Sequence, residues 1–267
     1  MTTHIHSTAV IHDGARIGAN VQIGPYCVIG PKVIIGDRTI LHSHVVIDGN
    51  TTIGTDNEIF PFASLGHKPQ DLKFKGEDSR LVIGDRNVIR EYVTMNPGTA
   101  DDRMETTVGS DGLFMMSVHI AHDCVVGDRV IMANAATIAG HVVVGDGARL
   151  GGLCAVRQKI RIGKNAMIGG MTGVESDVIP YGMIVGERGS LAGLNLVGLE
   201  RSGVEKTEIN NLRHLFKNVF ESDEATIAQR IEKAANDYSG SEFVTEIIDF
   251  VRNKGPYGIC MPKSNHG

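Results

Sequence analysis

The fold is decided near the start of the chain, by the stretch IHSTAVIHDGARIGANVQIGPYCVIGPKVIIGDRTIL at residues 5–41. Isoleucine or leucine recurs in this stretch at every sixth residue, and glycine often follows it. A six-residue period matches neither the 3.6-residue period of a helix nor the two-residue alternation of a single strand. The repeat is typical of a solenoid, in which short parallel strands stack coil on coil and each turns one aliphatic residue inward.

The same period continues through most of the chain. Its 26 inward positions are Ile5, Ile11, Ile17, Ile23, Ile29, Ile35, Leu41, Ile47, Ile53, Ile59, Leu65, Ile83, Ile89, Met95, Val108, Phe114, Ile120, Val126, Met132, Ile138, Val144, Leu150, Val156, Ile162, Ile168 and Val174. If three hexads close one coil, the repeat predicts roughly eight to nine coils in a prism about 40 Å long. We therefore expect an all-β parallel β-helix over residues 1–190, with glycine at corners that need unusual backbone angles.

Composition favours a column of aliphatic residues over a conventional core. Glycine accounts for 33 of the 267 residues, aromatic residues account for only 5%, and tryptophan is absent. A hydrophobic share of 42% and a charged share of 21% argue against a disordered chain. Cys27, Cys124 and Cys154 each stand four residues after an inward position, which favours small buried side chains over disulfides or zinc ligands.

Charge and hydropathy limit the partners and the compartment. The net charge of -5 argues against a general nucleic-acid binder and leaves room for a local basic patch. No run approaches the ~18 apolar residues of a membrane span. The N-terminus also lacks the basic and apolar segments of a secretory signal. We therefore expect a cytoplasmic protein without a transmembrane segment.

Two insertions and a change of period interrupt the repeat. The insertions are predicted at about 66–80 and 97–107, and long polar loops on a rigid scaffold commonly carry function. From about residue 204 the apolar residues follow helical spacing in three segments, the third capped by Ser241. We assign residues 191–267 to a junction and a C-terminal helical domain, which ends in a loose tail.

The residues best suited to chemistry begin in SVHIAHDC, at residues 117–124. Gly140 occupies the place of His122 one coil later, with His141 directly after it, and Gln158 occupies that place two coils later. Stacking of the coils therefore predicts that these side chains share one wall of the prism, within roughly 10 Å.

This wall supports more than one chemistry. A histidine that titrates near neutral pH suits a general base, and Asp123 directly after His122 provides an acidic neighbour that fixes the imidazole tautomer. The alternative is a zinc site, since His119, His122 and His141 could supply three imidazoles, as in hexapeptide-repeat carbonic anhydrases. The close H-x-x-H spacing differs from the wider pair expected there. The residues alone leave both interpretations open. A third alternative is a β-helix scaffold without catalytic activity.

Six motifs, in a fixed order along the chain, indicate a particular family of hexapeptide-repeat proteins. They are KPQDLKFKGE (68–77), IGDRNVIRE (83–91), HIAHDCVVG (119–127), ANAATIAGHV (133–142), GGLCAVRQ (151–158) and LNLVGLERSG (194–203). With these motifs the whole chain resembles the UDP-N-acetylglucosamine O-acyltransferases of lipid A biosynthesis, within the hexapeptide-repeat acyltransferase superfamily. A generic hexapeptide-repeat protein would share the repeats without these loops. The resemblance implies a left-handed parallel β-helix followed by a small α-helical C-terminal domain.

The resemblance also implies an activity. It is transfer of an (R)-3-hydroxyacyl chain from acyl carrier protein to the 3-position of UDP-N-acetylglucosamine or its 3-amino analogue, the first step of lipid A biosynthesis. The implied enzyme is a homotrimer with active sites between neighbouring prisms. It binds no metal or cofactor itself, because phosphopantetheine arrives on the acidic carrier protein. Basic residues near the end of the prism, such as Arg157, Lys159, Arg161 and Lys164, could attract that protein.

Site roles follow from the same motifs. The resemblance assigns His122 as the general base, Asp123 as the residue that orients it, and the Gly140 N–H as the oxyanion donor. The implied substrate-binding residues are Gln70, Asp71, Lys73, His119, His141, Gln158, Asn195 and Arg201. Gly170 matches the position that sets acyl-chain length, where a glycine leaves room for a long chain.

Some positions depart from the family pattern. Val197 and Ser202 replace charged residues in the nucleotide-binding junction, and Arg188 replaces a histidine at the acyl-tail end, so the nucleotide contacts and the acyl length stay open. The alternative enzyme class for this chain is an acetyl-CoA-dependent hexapeptide acetyltransferase. Enzymes of that class lack the QDLK loop.

Overall fold

The computed structural model describes residues 2–263 as a three-sided prism of short strands followed by four helices. The strands are β1 (His4–Ile5), β2 (Val10–Ile11), β3 (Arg16–Ile17), β4 (Gln22–Ile23), β5 (Val28–Ile29), β6 (Ile34–Ile35), β7 (Ile40–Leu41), β8 (Val46–Ile47), β9 (Asn50–Ile53), β10 (Glu58–Ile59), β11 (Ser64–Leu65), β12 (Arg80–Ile83), β13 (Val88–Ile89), β14 (Thr94–Met95), β15 (Glu105–Val108), β16 (Leu113–Phe114), β17 (His119–Ile120), β18 (Val125–Val126), β19 (Ile131–Met132), β20 (Thr137–Ile138), β21 (Val143–Val144), β22 (Arg149–Leu150), β23 (Ala155–Val156), β24 (Arg161–Ile162), β25 (Met167–Ile168), β26 (Gly173–Val174), β27 (Gly182–Val185) and β28 (Ser190–Leu194). The helices are α1 (Leu196–Arg201), α2 (Lys206–Phe220), α3 (Ile227–Asp237) and α4 (Glu242–Arg252).

The strands form three sheets, because each strand from β1 to β23 pairs in parallel with the strand three places further along the chain. The first sheet contains every third strand from β1 to β25 and ends with β27 and β28. The second sheet runs from β2 to β26 and the third from β3 to β24. In an uninterrupted coil Ile23 lies beside Leu41, so one coil takes 18 residues, as the repeat predicts.

The six-residue repeat is confirmed strand by strand. Each of the first 26 strands ends at one of the inward positions read from the sequence. From Ile23 to Val174 all these residues are buried. The inward residues of β1, β2 and β3 are exposed or half-buried, since no coil covers that end of the prism. Cys27, Cys124 and Cys154 are buried in the same column, and burial raises the pKa of the Cys124 thiol to about 12.

Most glycines that follow inward residues allow neighbouring coils to approach each other closely. Corner positions with left-handed backbone are mostly occupied by other residues, such as Tyr26 (φ 59°) and Arg38 (φ 58°). Gly54 is not left-handed, but a Cβ there would lie 2.2 Å from Asp85 Oδ1 and 2.7 Å from Gly84 O in the next coil. The expectation of unusual backbone angles is therefore wrong for most glycines that follow the inward residues, Gly66 (φ 83°) being an exception, and close approach between coils requires glycine there.

Both insertions leave the prism between the second and third sheets. The first loop comprises residues 66–79 and the second loop residues 96–104, each slightly shorter than predicted. Between them, Arg80 of β12 pairs with Asn50 of β9 on one side and with Glu105 of β15 on the other. The stack therefore continues in register across both loops.

Three edges run along the prism, where one sheet turns into the next. The first edge, between the first and second sheets, presents Tyr26, His44, Phe62, Tyr92, Leu153, Gly170 and Met171. The second edge, between the second and third sheets, presents the two loops with His122, Asp123, Gly140, His141 and Gln158. The third edge presents Asn20, Arg38, Asp56, Arg86, Asp111, Arg129 and Asn165.

The three helices predicted from the apolar spacing are present as α2, α3 and α4. Ser241 caps α4 as predicted, because its side chain accepts a hydrogen bond from the Val244 N–H. The short helix α1 was not predicted, and Asn195 caps it by accepting from the Gly198 N–H. The buried faces of the three longer helices are Ile209, Leu212, Leu215, Phe216, Val219, Phe220, Ile231, Ala234, Val244, Ile247, Ile248 and Val251.

The tail predicted to be loose packs against the prism over its described part. The Cys260 N–H donates to the Asp177 carbonyl, and the Asp177 carboxylate accepts from the Gly255 N–H at 2.7 Å. Residues 264–267 lie outside the described residues. The division into domains at residues 190 and 191 stays a prediction; β28 runs across it.

Candidate active site

The two loops converge on the second edge beside His122. Residues on this edge stack directly: the His141 N–H donates to the His122 carbonyl, and the Lys159 N–H donates to the Gly140 carbonyl. The loops also bind each other, since Lys73 Nζ of the first loop lies 3.0 Å from Asp101 Oδ2 of the second. On the second edge, the stacked residues around His122 are therefore bordered by two loops that bind each other.

The central pair of the site is His122 with Asp123. Nδ1 of His122 lies 2.9 Å from Oδ2 of Asp123, whose side chain is fully buried. Thr99 of the second loop donates its N–H to both carboxylate oxygens, at 3.0 and 3.1 Å, and its hydroxyl to Oδ2 at 2.6 Å. With these donors on one side, the buried carboxylate accepts a hydrogen bond from Nδ1 of His122 and so holds the proton on that nitrogen. Nε2 is then the free basic atom.

His141 lies against His122 and has a carboxylate of its own. The two rings meet edge to face with their centroids 5.0 Å apart. Nδ1 of His141 bonds Oδ2 of Asp102 at 2.7 Å, so the second loop holds this ring too. Both imidazole side chains are 16% exposed, which leaves a narrow opening to solvent.

Gly140 makes room for the His122 ring. A Cβ on Gly140 would lie 2.5 Å from Cε1 and 2.6 Å from Nε2 of that ring. Any larger residue would therefore displace the imidazole. Among the described residues no acceptor takes the Gly140 N–H, which leaves this donor free beside Nε2.

His119 lies on β17 and differs from the other two histidines in its surroundings. Its Nδ1 bonds the Thr94 hydroxyl at 2.7 Å. Burial, and to a smaller extent the nearby His122, lower the pKa of the His119 imidazole. This ring is therefore biased towards its neutral form.

The first loop brings only one of its three predicted residues close to His122. Asp71 Oδ2 lies 3.9 Å from His122 Nε2, too far for a hydrogen bond. Lys73 is exposed and paired with Asp101, and Gln70 is exposed. Asp71 therefore borders the free nitrogen of the base.

Of the remaining predicted residues, Gln158 lies one coil beyond Gly140 on the same edge, and the others lie elsewhere in the fold. Gln158 is exposed on the second edge, and Gly170 is on the first edge instead. The Asn195 amide donates to the Asn165 carbonyl as well as capping α1, so much of its hydrogen-bonding capacity is used inside the fold. Arg201 is exposed at the end of α1.

Some basic residues expected to attract an acidic partner are held inside the chain. Arg161 bonds the buried Asp177 carboxylate at 2.8 Å and lies over the Phe250 ring. Arg157 lies over the Tyr257 ring, with its guanidinium carbon 3.8 Å from the ring centroid. Both residues therefore connect the prism to the C-terminal part.

Sequence reasoning missed Thr99 and Asp102. Both stand in an insertion whose side-chain directions no repeat predicts. The position of that insertion was nevertheless readable, since counting hexads puts both loops at the same corner as His122. A threonine and an aspartate at that corner were the available signal.

The zinc site considered for His119, His122 and His141 would need their ring nitrogens close to one another. Within residues 2–263, the one cluster with metal-ligand atoms in mutual reach is His122, Asp123 and His141, and it does not include His119. The Nδ1 atoms of both histidines and the Asp123 carboxylate already form the hydrogen bonds described above. The three histidines considered as zinc ligands are thus not brought together in this chain.

No helix found between residues 2 and 263 is long and apolar enough to cross a membrane.

Comparison with known proteins identifies relatives along most of the chain. A family model described as Udp N-acetylglucosamine O-acyltransferase, domain 2, matches residues 177–260, and the bacterial transferase hexapeptide model matches residues 14–49. The acyl-[acyl-carrier-protein]–UDP-N-acetylglucosamine O-acyltransferase of Caulobacter vibrioides is 53% identical over 217 residues, or 81% of this chain and 82% of the relative. The enzyme of the same name from Paracoccus denitrificans is 50% identical over 76% of this chain and 77% of its own.

Solved structures agree with these relatives. LpxA from Acinetobacter baumannii matches with a TM-score of 0.93 and 44% identity, over 96% of this chain and 99% of that one. The UDP-N-acetylglucosamine acyltransferase from Campylobacter jejuni matches with a TM-score of 0.91 and 35% identity, over the same shares. The left-handed parallel β-helix with a small helical C-terminal part is thereby confirmed. The extent of these likenesses, in sequence and in fold, means that the chain belongs to the UDP-N-acetylglucosamine O-acyltransferase family.

Proposed function

We propose that this protein transfers an (R)-3-hydroxyacyl chain from acyl carrier protein to the 3-position of UDP-N-acetylglucosamine, as the first step of lipid A biosynthesis. The observation that carries the proposal is the buried Asp123–His122 pair with its free Nε2 next to the unpaired Gly140 N–H. Family membership supplies the class of reaction, and this cluster supplies groups suited to it.

His122 is the general base of this reaction. Because Asp123 holds a proton on Nδ1, Nε2 accepts the proton of the sugar hydroxyl. The hydroxyl oxygen attacks the thioester carbonyl and the new C–O bond forms. The C–S bond then breaks, and the proton on Nε2 passes to the departing phosphopantetheine sulfur. The products are the O-acylated UDP-sugar and the carrier protein with a free thiol, so atoms and charge balance.

The Gly140 N–H stabilises the oxyanion that forms during this attack. A backbone donor fixed by coil stacking needs no reorganisation as the charge develops. The donor lies beside Nε2, so base and oxyanion donor act on the same carbonyl centre.

The surrounding polar side chains bind the sugar nucleotide. Those that border the base or extend from the same edge and loops are Gln70, Asp71, Lys73, His119, His141 and Gln158. Asn195 and Arg201 contact the diphosphate, Arg201 through its exposed guanidinium at the end of α1. The enzyme itself binds no metal or cofactor, and phosphopantetheine arrives on the carrier protein.

The working unit is a homotrimer in which the first edge of one copy faces the second edge of the next. The first edge exposes several large apolar residues, with Tyr26 58%, Leu153 63% and Met171 72% exposed. Contact between two different edges is heterologous, and such contacts form a closed ring when each copy is rotated by the same fraction of a turn, one third for a trimer. Gly170, which lies on the first edge, then lines an acyl groove opposite the His122 of its neighbour.

Gly170 sets the length of that groove. A Cβ at this position would meet only Gly152 O at 3.3 Å, so a longer side chain can project from the edge without disrupting the prism. Gly170→Met should therefore shift preference to shorter acyl chains. An unchanged chain-length profile would count against this role.

The decisive experiment measures acyl transfer from carrier proteins loaded with chains of varied length to UDP-N-acetylglucosamine and to its 3-amino analogue. We expect transfer of a 3-hydroxyacyl chain, at a rate that survives dialysis against a chelator. Failure of every donor with both sugars would overturn the proposal. A loss on dialysis that zinc alone restores would favour the carbonic anhydrase alternative.

Oligomeric state provides a separate test. Phe62→Asp places a charge on the first edge, and Asp56→Asn is the matched change on the third edge. We expect light scattering to give a trimer mass for the parent and the Asp56 variant and a smaller mass for the Phe62 variant. A trimer that withstands Phe62→Asp contradicts the assignment of the first edge.

A further inference from the structure

Two histidines of the site compete for one carboxylate. Nδ1 of His122 lies 2.9 Å from Oδ2 of Asp123, and Nδ1 of His141 lies 4.0 Å from the same oxygen. The ring that Asp123 bonds keeps its proton on Nδ1 and offers Nε2 as a base. A small rotation of the carboxylate would therefore exchange the activated histidine.

The second loop restricts that rotation through Thr99. The Thr99 N–H contacts both oxygens of Asp123, and the hydroxyl donates to Oδ2 at 2.6 Å. Both residues are buried, with 3% of Thr99 and 2% of Asp123 exposed, so water does not compete for these bonds. Donors from two directions fix the carboxylate plane while Oδ2 faces His122.

The same loop also occupies the competing histidine. Asp102 stands three residues after Thr99 and accepts from Nδ1 of His141 at 2.7 Å. His141 thus has a carboxylate closer than Asp123 by more than an ångström. The two contacts act in the same direction, because each leaves Asp123 to His122.

We propose that Thr99 is a positioning residue, which reserves Asp123 for His122 by the hydrogen bond from its hydroxyl. This inference rests on the proposed role of His122 as the base. Thr99 touches no substrate in this account and acts only through Asp123.

The test compares substitutions that separate the hydroxyl from the shape of the side chain. Thr99→Val keeps the volume and the N–H but removes the hydroxyl, and Thr99→Ser keeps the hydroxyl. Thr106→Val is the matched control, since Thr106 of β15 is fully buried and no described residue bonds its hydroxyl. Steady-state kinetics and thermal melting are measured for each variant and for His122→Ala.

We expect Thr99→Val to lower kcat about 10- to 100-fold, as loss of a bond to a buried charge would, with the KM for the UDP-sugar within about twofold of the parent. Thr99→Ser should stay within about threefold of the parent kcat. Thr106→Val should keep the parent kcat and melt above Thr99→Val, because only Thr99→Val loses a hydrogen bond to a buried carboxylate.

Three results overturn the inference. They are a normal kcat in Thr99→Val, a serine variant as slow as the valine variant, and a valine variant that is unfolded at the assay temperature, which would make the role of Thr99 structural. His122→Ala separates this inference from the proposed function. If His122→Ala is inactive while Thr99→Val is normal, only the inference fails; if His122→Ala keeps its activity, the proposed base fails as well.

Discussion

Acid–base pairs line two edges of the same prism, at nearly the same distances. On the third edge Arg38 pairs with Asp56 at 2.6 Å and Arg86 with Asp111 at 2.7 Å. On the second edge the corresponding distances are 2.9 Å from His122 to Asp123 and 2.7 Å from His141 to Asp102. Coil stacking produces the third-edge pairs, whereas on the second edge Asp123 is the chain neighbour of His122 and Asp102 belongs to the second loop.

The edges differ in what covers them. Each side chain of the two third-edge pairs is more than a third exposed, whereas the Asp123 side chain is fully buried beneath the second loop. Exposed pairs are screened by water and contribute little. A buried pair keeps its direction and its field, which suits it to hold a proton on one chosen atom. Enclosure by the loops, more than the pairing itself, distinguishes the candidate site.

The largest expected effect comes from removing the base on the second edge. His122→Ala should lower acyl transfer about 10³- to 10⁴-fold while the protein stays folded, because no other described group has its proton placed by Asp123. Purified protein is assayed beside His214→Ala, which removes an exposed histidine on α2. Near-normal transfer by the His122 variant would remove the functional difference between the edges.

A smaller loss is expected where coil packing supports the same ring. Gly140→Ala should lower kcat about 10²-fold, because the new Cβ would lie 2.6 Å from His122 Nε2 and push the imidazole from its position. Gly240→Ala is the matched control, since a Cβ there meets no atom within 4 Å. Equal activity of the two variants would show that the glycine is not needed for the position of the ring.

Burial near the second edge also predicts a dependence of stability on pH. The lowered pKa of His119 means that the unfolded chain binds its proton first, near an unfolded value of about 6.5. Neutral His119 therefore contributes its full share of stability above that pH. The contribution is lost as the pH falls towards the lowered pKa of the folded state. The free energy of unfolding, measured with denaturant, should fall less steeply between pH 8 and pH 5 for His119→Gln than for the parent. Parallel curves would contradict this burial effect.

The smallest effect is expected on the third edge. Arg86→Ala should change the melting temperature by no more than about 1–2 °C and leave acyl transfer unchanged, since its partner Asp111 remains in solvent. Scanning calorimetry and the transfer assay measure both quantities. A large loss of either would show that an exposed pair matters here as much as an enclosed one.

The repeat could be predicted residue by residue because the prism is quasi-one-dimensional. Each coil contacts only its neighbours, so position in the hexad decides which side chain points inward. The same counting brought His122, Gly140 and His141 together before any coordinates. It failed for the tail at Cys260, whose partner Asp177 belongs to a different part of the chain.

The amino-acid sequence by itself determined the column of strands, the corner on which both loops emerge and the family, since all three follow from periodicity and ordered motifs. Only the tertiary structure decided that Thr99 bonds Asp123 while Asp102 bonds His141, and that close approach of the coils requires glycine. Side-chain directions in irregular loops depend on long-range contacts. A local repeat cannot encode such contacts.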